Sequence, residues 1–594
     1  MTGDDDRRTI SVLTEVGAVS RPLDYHLPET FTGPNTVGSR VRVPLNGRSV
    51  RGWIVPSEGT TSLSSVKDVT ASLGFGPPET VVALCRWAAW RWAGTAARFL
   101  GTASPSTLVP RIPVAPRLRT DVEVRGHLGI LGSELAGSTV ATVVRVGPAN
   151  DPFDLILGVL SLGAKAQECG SVVVLVPGLA YARRLTARLA RRGIAAVDLA
   201  EGWDAARAGW PVVVGTRTAA FAPVPKVEAM IVLDADDARF ASEAAPTWRA
   251  VDVVVERSRR EGAPALLVTS CPTPELSVIE EQRAEPEVEG RDGWPRIIVV
   301  DRRDEDPRNG LLSSTLVDRS REALEAMPEG IAVACILNRT GRATLLACKR
   351  CQALARCDSC DAAVALDEVL RCPRCNEVRP ILCTACGSTT LKRLRPGTAQ
   401  LASELSSLLG LDVVEVTAKT DPEKLRGARA VMGTEAVLHR VRRAHLVAFL
   451  DLDHHLLAPR AGAELGTLAM IGRAGRLVGG RSEVDGGSVL LQTLLPDHSV
   501  ITAALSGDPT EVIAGDLELR STLGLPPFRA VALLKGKGAP EFARSMAEQG
   551  LDVRELDGNR SVVVALDHTS LAEGLVRAAR PKDPVRISVD TVEL

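Results

Sequence analysis

CKRCQALARCDSCDAAVALDEVLRCPRCNEVRPILCTAC, residues 348–386, carries eight of the chain's twelve cysteines as four Cys-x-x-Cys pairs. The pairs are Cys348 with Cys351, Cys357 with Cys360, Cys372 with Cys375, and Cys383 with Cys386. A Cys-x-x-Cys turn lets two thiolates converge on one tetrahedral ion while the turn's own N–H groups point at the sulfurs and stabilise their charge. Two such turns close a four-cysteine site with no open position, so the expected metal is structural zinc, two ions per chain. A redox dithiol would need a single pair beside a βαβ unit, and here four pairs crowd together. Four turns can be shared between two ions in three ways. Nesting, with the outer turns on one ion and the inner turns on the other, leaves 361–371 (DAAVALDEVLR) as a loop long enough for a hairpin. Pairing neighbours leaves much shorter connections, so loop length favours nesting.

Working outward from the cysteines, the chain reads as α/β on both sides. Upstream, ATVVRV, SVVVLVP, PVVVGT, AMIVLD and PALLVTS alternate with helical stretches such as LAYARRLTARLARRG and WRAVDVVVERSRREG, the pattern of a parallel sheet covered by helices. This is a first lobe, 140–285. A second set, IIVVD, IAVACILN, LDVVEVT, ARAVMGT, HLVAFLDLD and GSVLLQT, forms a second lobe in two parts, 286–345 and 393–499. The cysteine module, 346–392, interrupts it. Before the lobes come short strands in TISVLTEV, GSRVRVPL and RGWIVPS, a small β domain over 1–105. Its helix at 79–100 carries Trp87, Trp90 and Trp92, residues that usually pack in a core or a domain interface. Residues 106–139 read as a linker rich in Pro, Ser and Gly, and 500–594 as a mixed α and β C-terminal domain. The expected fold class is therefore multidomain α/β.

Length and composition are those of a globular protein of about four domains. Formal net charge is -1, so polyanion binding has to come from local patches. One lies around Arg342, Lys349, Arg350 and Arg356, then Lys392, Arg393 and Arg395; a solvated face is the bland alternative. Aromatics make up only 3% of the chain, so base-stacking platforms are few. The N-terminus has no apolar signal segment, no apolar run approaches a membrane span, and many reduced thiols suit a cytoplasmic setting.

Two tandem α/β lobes suggest a motor ATPase, which clamps a nucleotide at the C-terminal ends of its strands. Its devices are altered here. Where a Gly-rich phosphate loop with its lysine belongs, the chain has VRVGPANDPFDLILG, 144–158. Pro148 and Pro152 supply no N–H, and Asp151 repels phosphate. Strand AMIVLD ends in Asp234, a candidate magnesium carboxylate, but its neighbour is Ala235, leaving Asp236 or Asp237 to act from a shifted position. The turn GRAGR, 472–476, offers Arg473 and Arg476 as the arginines that would stabilise a transferring phosphate. An Asp at a strand end and an Arg-Gly turn are both common in sheets without such a role. His454 and His455 lack a third ligand at metal spacing.

Together these residues resemble the PriA family of bacterial primosomal proteins, through LDYHLPE (23–29), SRVRVP (39–44), VVVGTRTAAFAP (212–223), IVLDADD (231–237), ILNRTGRATLLACKRC (336–351), the four cysteine pairs, GRAGR and LGLPPF (523–528). The resemblance implies two RecA-like helicase lobes and nested zinc sites, an outer one of Cys348, Cys351, Cys383 and Cys386 and an inner one of Cys357, Cys360, Cys372 and Cys375. It implies an N-terminal pocket for a DNA 3′ end at Asp24, Tyr25 and Lys67, with Leu23 where the family has an aromatic. An aspartate there can accept from a terminal 3′-OH and would repel a continuing phosphate. The departures are equally specific. The family's Gly-Lys-Thr loop, Asp-Glu-Glu-His box and Gln before the arginine motif are replaced by GPANDPF, Asp234-Ala235-Asp236-Asp237 and Ala469. GTEAVLHR (433–440) lacks the family's Gly-rich turn, and the winged helix is reduced to the linker. The chain is thus similar to the degenerate members of high-GC Gram-positive bacteria.

The resemblance implies a replication restart protein without catalytic residues of its own, whose degenerate nucleotide site retains Asp234, Arg473 and Arg476. It would bind abandoned forks and promote primosome assembly and reloading of the replicative helicase. Implied partners are branched or forked DNA with a 3′ end, other primosome proteins, the replicative helicase or its loader, and single-stranded DNA-binding protein. The alternatives are an ATP-dependent 3′-to-5′ helicase with an altered site, and a zinc scaffold for protein partners alone.

Overall fold

The computed structural model describes residues 8–16, 21–57, 66–117, 122–163, 170–279, 281–283, 291–303, 310–337, 346–351, 353, 355–359, 364–366, 369–372, 377–393, 398–417, 419–458, 461–484 and 486–590. The Val-rich runs form the central strands of a seven-stranded parallel sheet. Its spatial order is Glu281–Arg283, Ala141–Arg145, Ala265–Thr269, Val227–Leu233, Ser171–Leu175, Val212–Gly215 and Ala196–Asp198. Ser171–Leu175 and Ala265–Thr269 are buried at every position, as expected of strands covered by helices on both faces. A second, six-stranded parallel sheet runs Arg296–Asp301, Ser488–Thr493, Leu446–Phe449, Val333–Ile336, Ala430–Gly433 and Val413–Val416. The chain is therefore multidomain α/β, with two parallel-sheet lobes.

The cysteine segment leaves the second lobe after the strand Val333–Ile336 and returns before the helix Thr398–Leu409. Its base is an antiparallel pair, Leu346–Cys348 with Leu391–Arg393, and its body a three-stranded antiparallel sheet with its own small core around Leu346, Ala355, Val364 and Leu370.

At the N-terminus, six short strands form one sheet, in which Leu23–His26 lies between Thr9–Thr14 and Lys67–Asp68. Helices Glu79–Arg91 and Ala96–Ala103 join that sheet to the first lobe. Trp92 stacks toward Phe99 (ring centroids 6.3 Å apart), Phe99 toward Phe221 (5.8 Å), and Phe221 meets Trp248 edge-on (5.3 Å). Such contacts add to the large apolar area each ring buries. Trp92 is buried, whereas Trp90 is 37% exposed.

Within the stretch read as a linker, Gly126–Leu135 forms a helix that packs on the helix Phe153–Gly163. Gly132 and Gly158 permit this close approach, because a Cβ at either would meet backbone at 2.3 and 2.0 Å respectively. The helices Ser499–Ser506 and Thr510–Leu523 add Val500, Ile501, Val512 and Ile513 to the core of the second lobe. The remaining C-terminal unit is βαββαβ, with the four strands in the spatial order Asp552–Asp557, Arg560–Ala565, Ala530–Lys535 and Arg586–Val589. Its inward side chains share one continuous core with the first lobe and the N-terminal helices.

Candidate DNA-end pocket, cysteine cluster and interlobe cleft

Asp24 and Tyr25 are consecutive on an extended strand, so their side chains leave on opposite faces. Tyr25 points into the small core with Ile10, Val12, Val41 and Val43, and its hydroxyl donates to the Pro44 carbonyl at 3.2 Å. Burial raises the phenol above its ordinary pKa. Asp24 lies on the other face and accepts from Ser11 Oγ at 2.7 Å, the residue it pairs with in register. Lys67 pairs with Tyr25 across the short parallel ladder and is exposed. The sheet therefore places all three on neighbouring strands but commits the Tyr25 ring to the core.

The sulfurs of Cys348, Cys351, Cys383 and Cys386 all lie within 4.8 Å of one another. Cys348 Sγ is 3.5 Å from Cys386 Sγ, and Cys351 Sγ is 3.6 Å from Cys383 Sγ. A tetrahedral ion with Zn–S bonds of about 2.3 Å would set its sulfurs about 3.8 Å apart, so these four fit one metal. The backbone N–H of Cys351 lowers the Cys348 thiol to about 6, and Arg350 N–H also points at that sulfur at 3.3 Å. Both favour the thiolate a metal needs. These are the two outer turns of the nested arrangement, brought together across more than thirty positions of chain. Of the other four cysteines, Cys357 and Cys372 are buried in the module's core. Cys360 and Cys375 lie outside the described residues, as do Arg342 and Arg395 of the basic patch.

The third site is the cleft between the lobes, about 1160 Å³, lined among others by Tyr181, Arg184, Arg239, Arg426, Arg442 and Arg443. At its floor is the loop between the strand Ala141–Arg145 and the helix Phe153–Gly163. Four of the loop's amides are engaged within the protein: Val146 N–H donates to Thr269 O, Ala149 to Gly293 O, Asn150 to Gly147 O, and Phe153 to Asp151 Oδ1, at 2.9 to 3.1 Å. Arg188 pairs with Asp151 at 2.6 Å while covering the Phe153 ring at 3.7 Å.

Facing this loop is the helix Ala463–Val478 of the second lobe. Arg476 pairs with Asp234 and donates from Nε to the Pro148 carbonyl at 3.2 Å. Arg473 lies 3.1 Å from Asp236, 3.7 Å from Asp237 and 3.3 Å from Glu435. Thr269 Oγ1 donates to Asp236 at 2.5 Å, and Arg239 forks onto both oxygens of Asp237 at 2.9 and 2.7 Å. Burial raises the Asp236 carboxyl despite the Arg473 charge. Burial acts the same way on Asp237, but Arg239 and Arg473 outweigh it and hold that carboxyl well below the usual range.

Residues 11–105 match the family model "3'DNA-binding domain (3'BD)" of PriA. The chain is 28% identical over 405 residues to the "Replication restart protein PriA" of Haemophilus influenzae, covering 62% of this chain and 54% of that protein. It is 27% identical over 579 residues to the "Probable replication restart protein PriA" of Mycobacterium bovis, covering 88% of this chain and 86% of that one. This chain is similar to PriA proteins. It spans about half the length of relatives such as the Haemophilus protein, and most of the mycobacterial one. Among solved structures, yeast Dbp5 bound to RNA and ADP BeF3 aligns over 68% of this chain and 100% of its own, at 13% identity and a TM-score of 0.37.

Against that relationship, the structure gives the flagged residues Asp234, Arg473 and Arg476 direct partners. It also adds Glu435, Thr269 and Arg239, which no local motif singled out. Glu435 follows GT in GTEAVLHR, where only the loss of a Gly-rich turn was visible. His439, on the short helix Ala436–Arg440 that follows Glu435, is pushed down to about 4 by burial and by the nearby Arg239 charge. No helix among the described residues is long and apolar enough to cross a membrane.

Proposed function

We propose that this chain recognises abandoned or stalled replication forks through their 3′ ends. It then promotes primosome assembly and reloading of the replicative helicase without helicase activity of its own. The observation that carries this reading is the pairing of a matched 3′DNA-binding domain with a phosphate-loop position at which the Val146, Ala149, Asn150 and Phe153 amides are already bonded inside the protein. An ATP motor needs those amides, a lysine and an acidic base to stabilise charge on the transferring phosphate. This chain offers GPANDPF and Asp234-Ala235 in their place. On this reading the lobes are RecA-like scaffolds that hold the other domains in register.

In the DNA-end pocket, the Asp24 carboxylate accepts from the terminal 3′-OH and repels a continuing phosphate, while Lys67 contributes a backbone contact. Cys348, Cys351, Cys383 and Cys386 would hold one zinc, and Cys357, Cys360, Cys372 and Cys375 a second. Zinc in such closed sites supplies folding energy to the module and no chemistry. The partners are forked DNA, other primosome proteins and the replicative helicase or its loader. DNA binding survives removal of ATP and weakens as salt rises, because phosphate contacts release counterions.

The test is steady-state ATP hydrolysis by the pure protein, with and without saturating fork DNA bearing a leading-strand 3′ end, with binding confirmed in the same sample. The expected result is no turnover above background. Turnover that rises with DNA and vanishes in Asp234→Ala would restore an ATP-driven helicase, with Asp236 or Asp237 as its base.

A further inference from the structure

The helix Ala463–Val478 belongs to the second lobe, yet its arginines are engaged with the first. Arg476 holds Asp234 and the Pro148 carbonyl; Arg473 holds Asp236 and Asp237. The carboxylates are largely buried, at 14%, 7% and 4% side-chain exposure for Asp234, Asp236 and Asp237. Thr269 and Arg239 satisfy the remaining oxygens of Asp236 and Asp237, so these buried charges are hydrogen-bonded as well as paired.

Two features show that the backbone is fitted to this contact. The helix presents glycine where it meets the loop and its neighbours. A Cβ at Gly472 would lie 3.3 Å from Ser270 Oγ and 3.6 Å from Pro148 Cβ. One at Gly475 would lie 2.9 Å from Pro295 Cδ and 3.5 Å from Pro148 Cγ. Helix backbone thus packs against the loop itself. Asp234 adopts a left-handed conformation, φ +58°, which among residues with side chains is favoured chiefly by Asn and Asp. That turn at the strand end holds its carboxylate on the Arg476 guanidinium.

We infer that Asp234, Asp236 and Asp237 with Arg473 and Arg476 form an interlobe clamp that holds the two lobes closed by the protein's own charges, independently of nucleotide. This deepens the scaffold reading of the lobes and rests on it. In a motor, the arginine of this helix meets a phosphate charge that arrives and departs with each turnover, so the cleft cycles. A side-chain carboxylate is always present, and the cycle has no step at which it leaves. A ligand can shift the equilibrium between open and closed lobes only by differential affinity, and the clamp fills the position where that difference would arise. The result is a fixed frame between the DNA-end domain, which packs on the first lobe, and the cysteine module, which is carried by the second.

The experiment is hydrogen–deuterium exchange on the full-length, zinc-loaded protein, following peptides over 146–156 and 463–478. In the wild type, exchange there is slow and unchanged by millimolar Mg–ATP. Arg476→Asp, which sets two carboxylates together, speeds exchange about ten-fold or more, and Arg476→Gln gives a smaller increase in the same direction. Should Arg476→Asp lose its fold by circular dichroism, Arg476→Gln carries the test. Wild-type protection that rises several-fold on adding Mg–ATP, or unchanged exchange in Arg476→Gln, overturns the clamp. Fork binding is measured by fluorescence anisotropy on the same samples. A wild-type protein with a nucleotide-independent clamp but no preference for forks would defeat the functional reading and leave the clamp standing.

Discussion

Arg91 and Asp590, 499 positions apart, form a buried ion pair at 2.7 Å. Arg91 ends the helix that follows the N-terminal sheet, and Asp590 immediately follows the last strand of the C-terminal unit, Arg586–Val589. His568 shares the same carboxylate at 2.7 Å. From Arg91 the charges continue into the first lobe through Asp252 (3.9 Å), Arg249 (3.8 Å) and Glu275 (3.6 Å), and on to Arg520 (3.1 Å) and Asp516 of the helix Thr510–Leu523 (3.0 Å). One alternating row of charges therefore ties the DNA-end domain, the first lobe and the C-terminal region together. On the proposed function, fork geometry has to be read by domains held in a fixed register, and these pairs would hold them so.

Removing one partner leaves the other buried and uncompensated. Asp590→Ala is expected to cost about 3–5 kcal/mol at neutral pH, read as a shift in the urea midpoint. Burial alone would raise the Asp590 carboxyl, but His568 and Arg91 more than offset it and hold it below the ordinary range. Because the folded value is depressed, the carboxylate's contribution is complete above the unfolded pKa of about 3.9 and is lost as pH falls below it. The stability gap between wild type and Asp590→Asn should therefore narrow below about pH 4. A gap that stays constant into acid would assign the effect to packing instead of charge.

His439 works in a milder range. Its imidazole is held at about 4, below the ordinary 6.5, first by burial and then by Arg239. The unfolded chain therefore takes up a proton between those values while the folded protein does not, and stability falls as pH drops through that window. A loss of stability between pH 6.5 and 4 is expected in the wild type and absent in His439→Gln. Parallel pH profiles for the two proteins would rule this out.

The α/β architecture was legible because Val-rich runs alternate with amphipathic helices, a local pattern that survives in the sequence. The outer cysteine set was legible from the spacing of its turns. Arg473 and Arg476 could be flagged from GRAGR, but their partners lie 237 and 242 positions away and carry no spacing signal. The helix at 126–135 was hidden for a different reason. GHLGILGSEL has three glycines, which weaken helix propensity, and the helix is retained because Gly132, with Gly129 beside it, lets it pack closely on Phe153–Gly163. Arg91 sits among three tryptophans that drew the reading toward apolar packing. The ion pair with Asp590 becomes visible only when both chain ends are placed.

The cysteine cluster predicts a defined metal count. Cys383→Ser should lower bound zinc from two ions per chain to one, measured by inductively coupled plasma spectrometry, and should expose the module to protease. Leu346 and Leu370, fully buried in that small core, have no other large apolar layer to hold them. Cys85→Ala, at a buried apolar position in the first core, serves as the control and should keep both ions. Unchanged zinc in Cys383→Ser would reject the four-cysteine site.

The DNA-end pocket proposed at Asp24 and Lys67 is open to the most specific test. Asp24→Asn keeps the shape of the side chain and its contact with Ser11 while removing the charge. If the carboxylate selects a terminal hydroxyl by accepting from it and repelling phosphate, the preference for a 3′-OH over a 3′-phosphate end should fall about ten-fold. Ser11→Ala leaves the charge but frees the carboxylate from its 2.7 Å hydrogen bond, so a smaller loss is expected. Lys67→Ala should weaken both ends alike and reduce the salt dependence by about one phosphate contact. Fluorescence anisotropy with paired oligonucleotides at several salt concentrations separates these effects. An Asp24→Asn protein that discriminates between the two ends as well as wild type would place end recognition elsewhere in the domain.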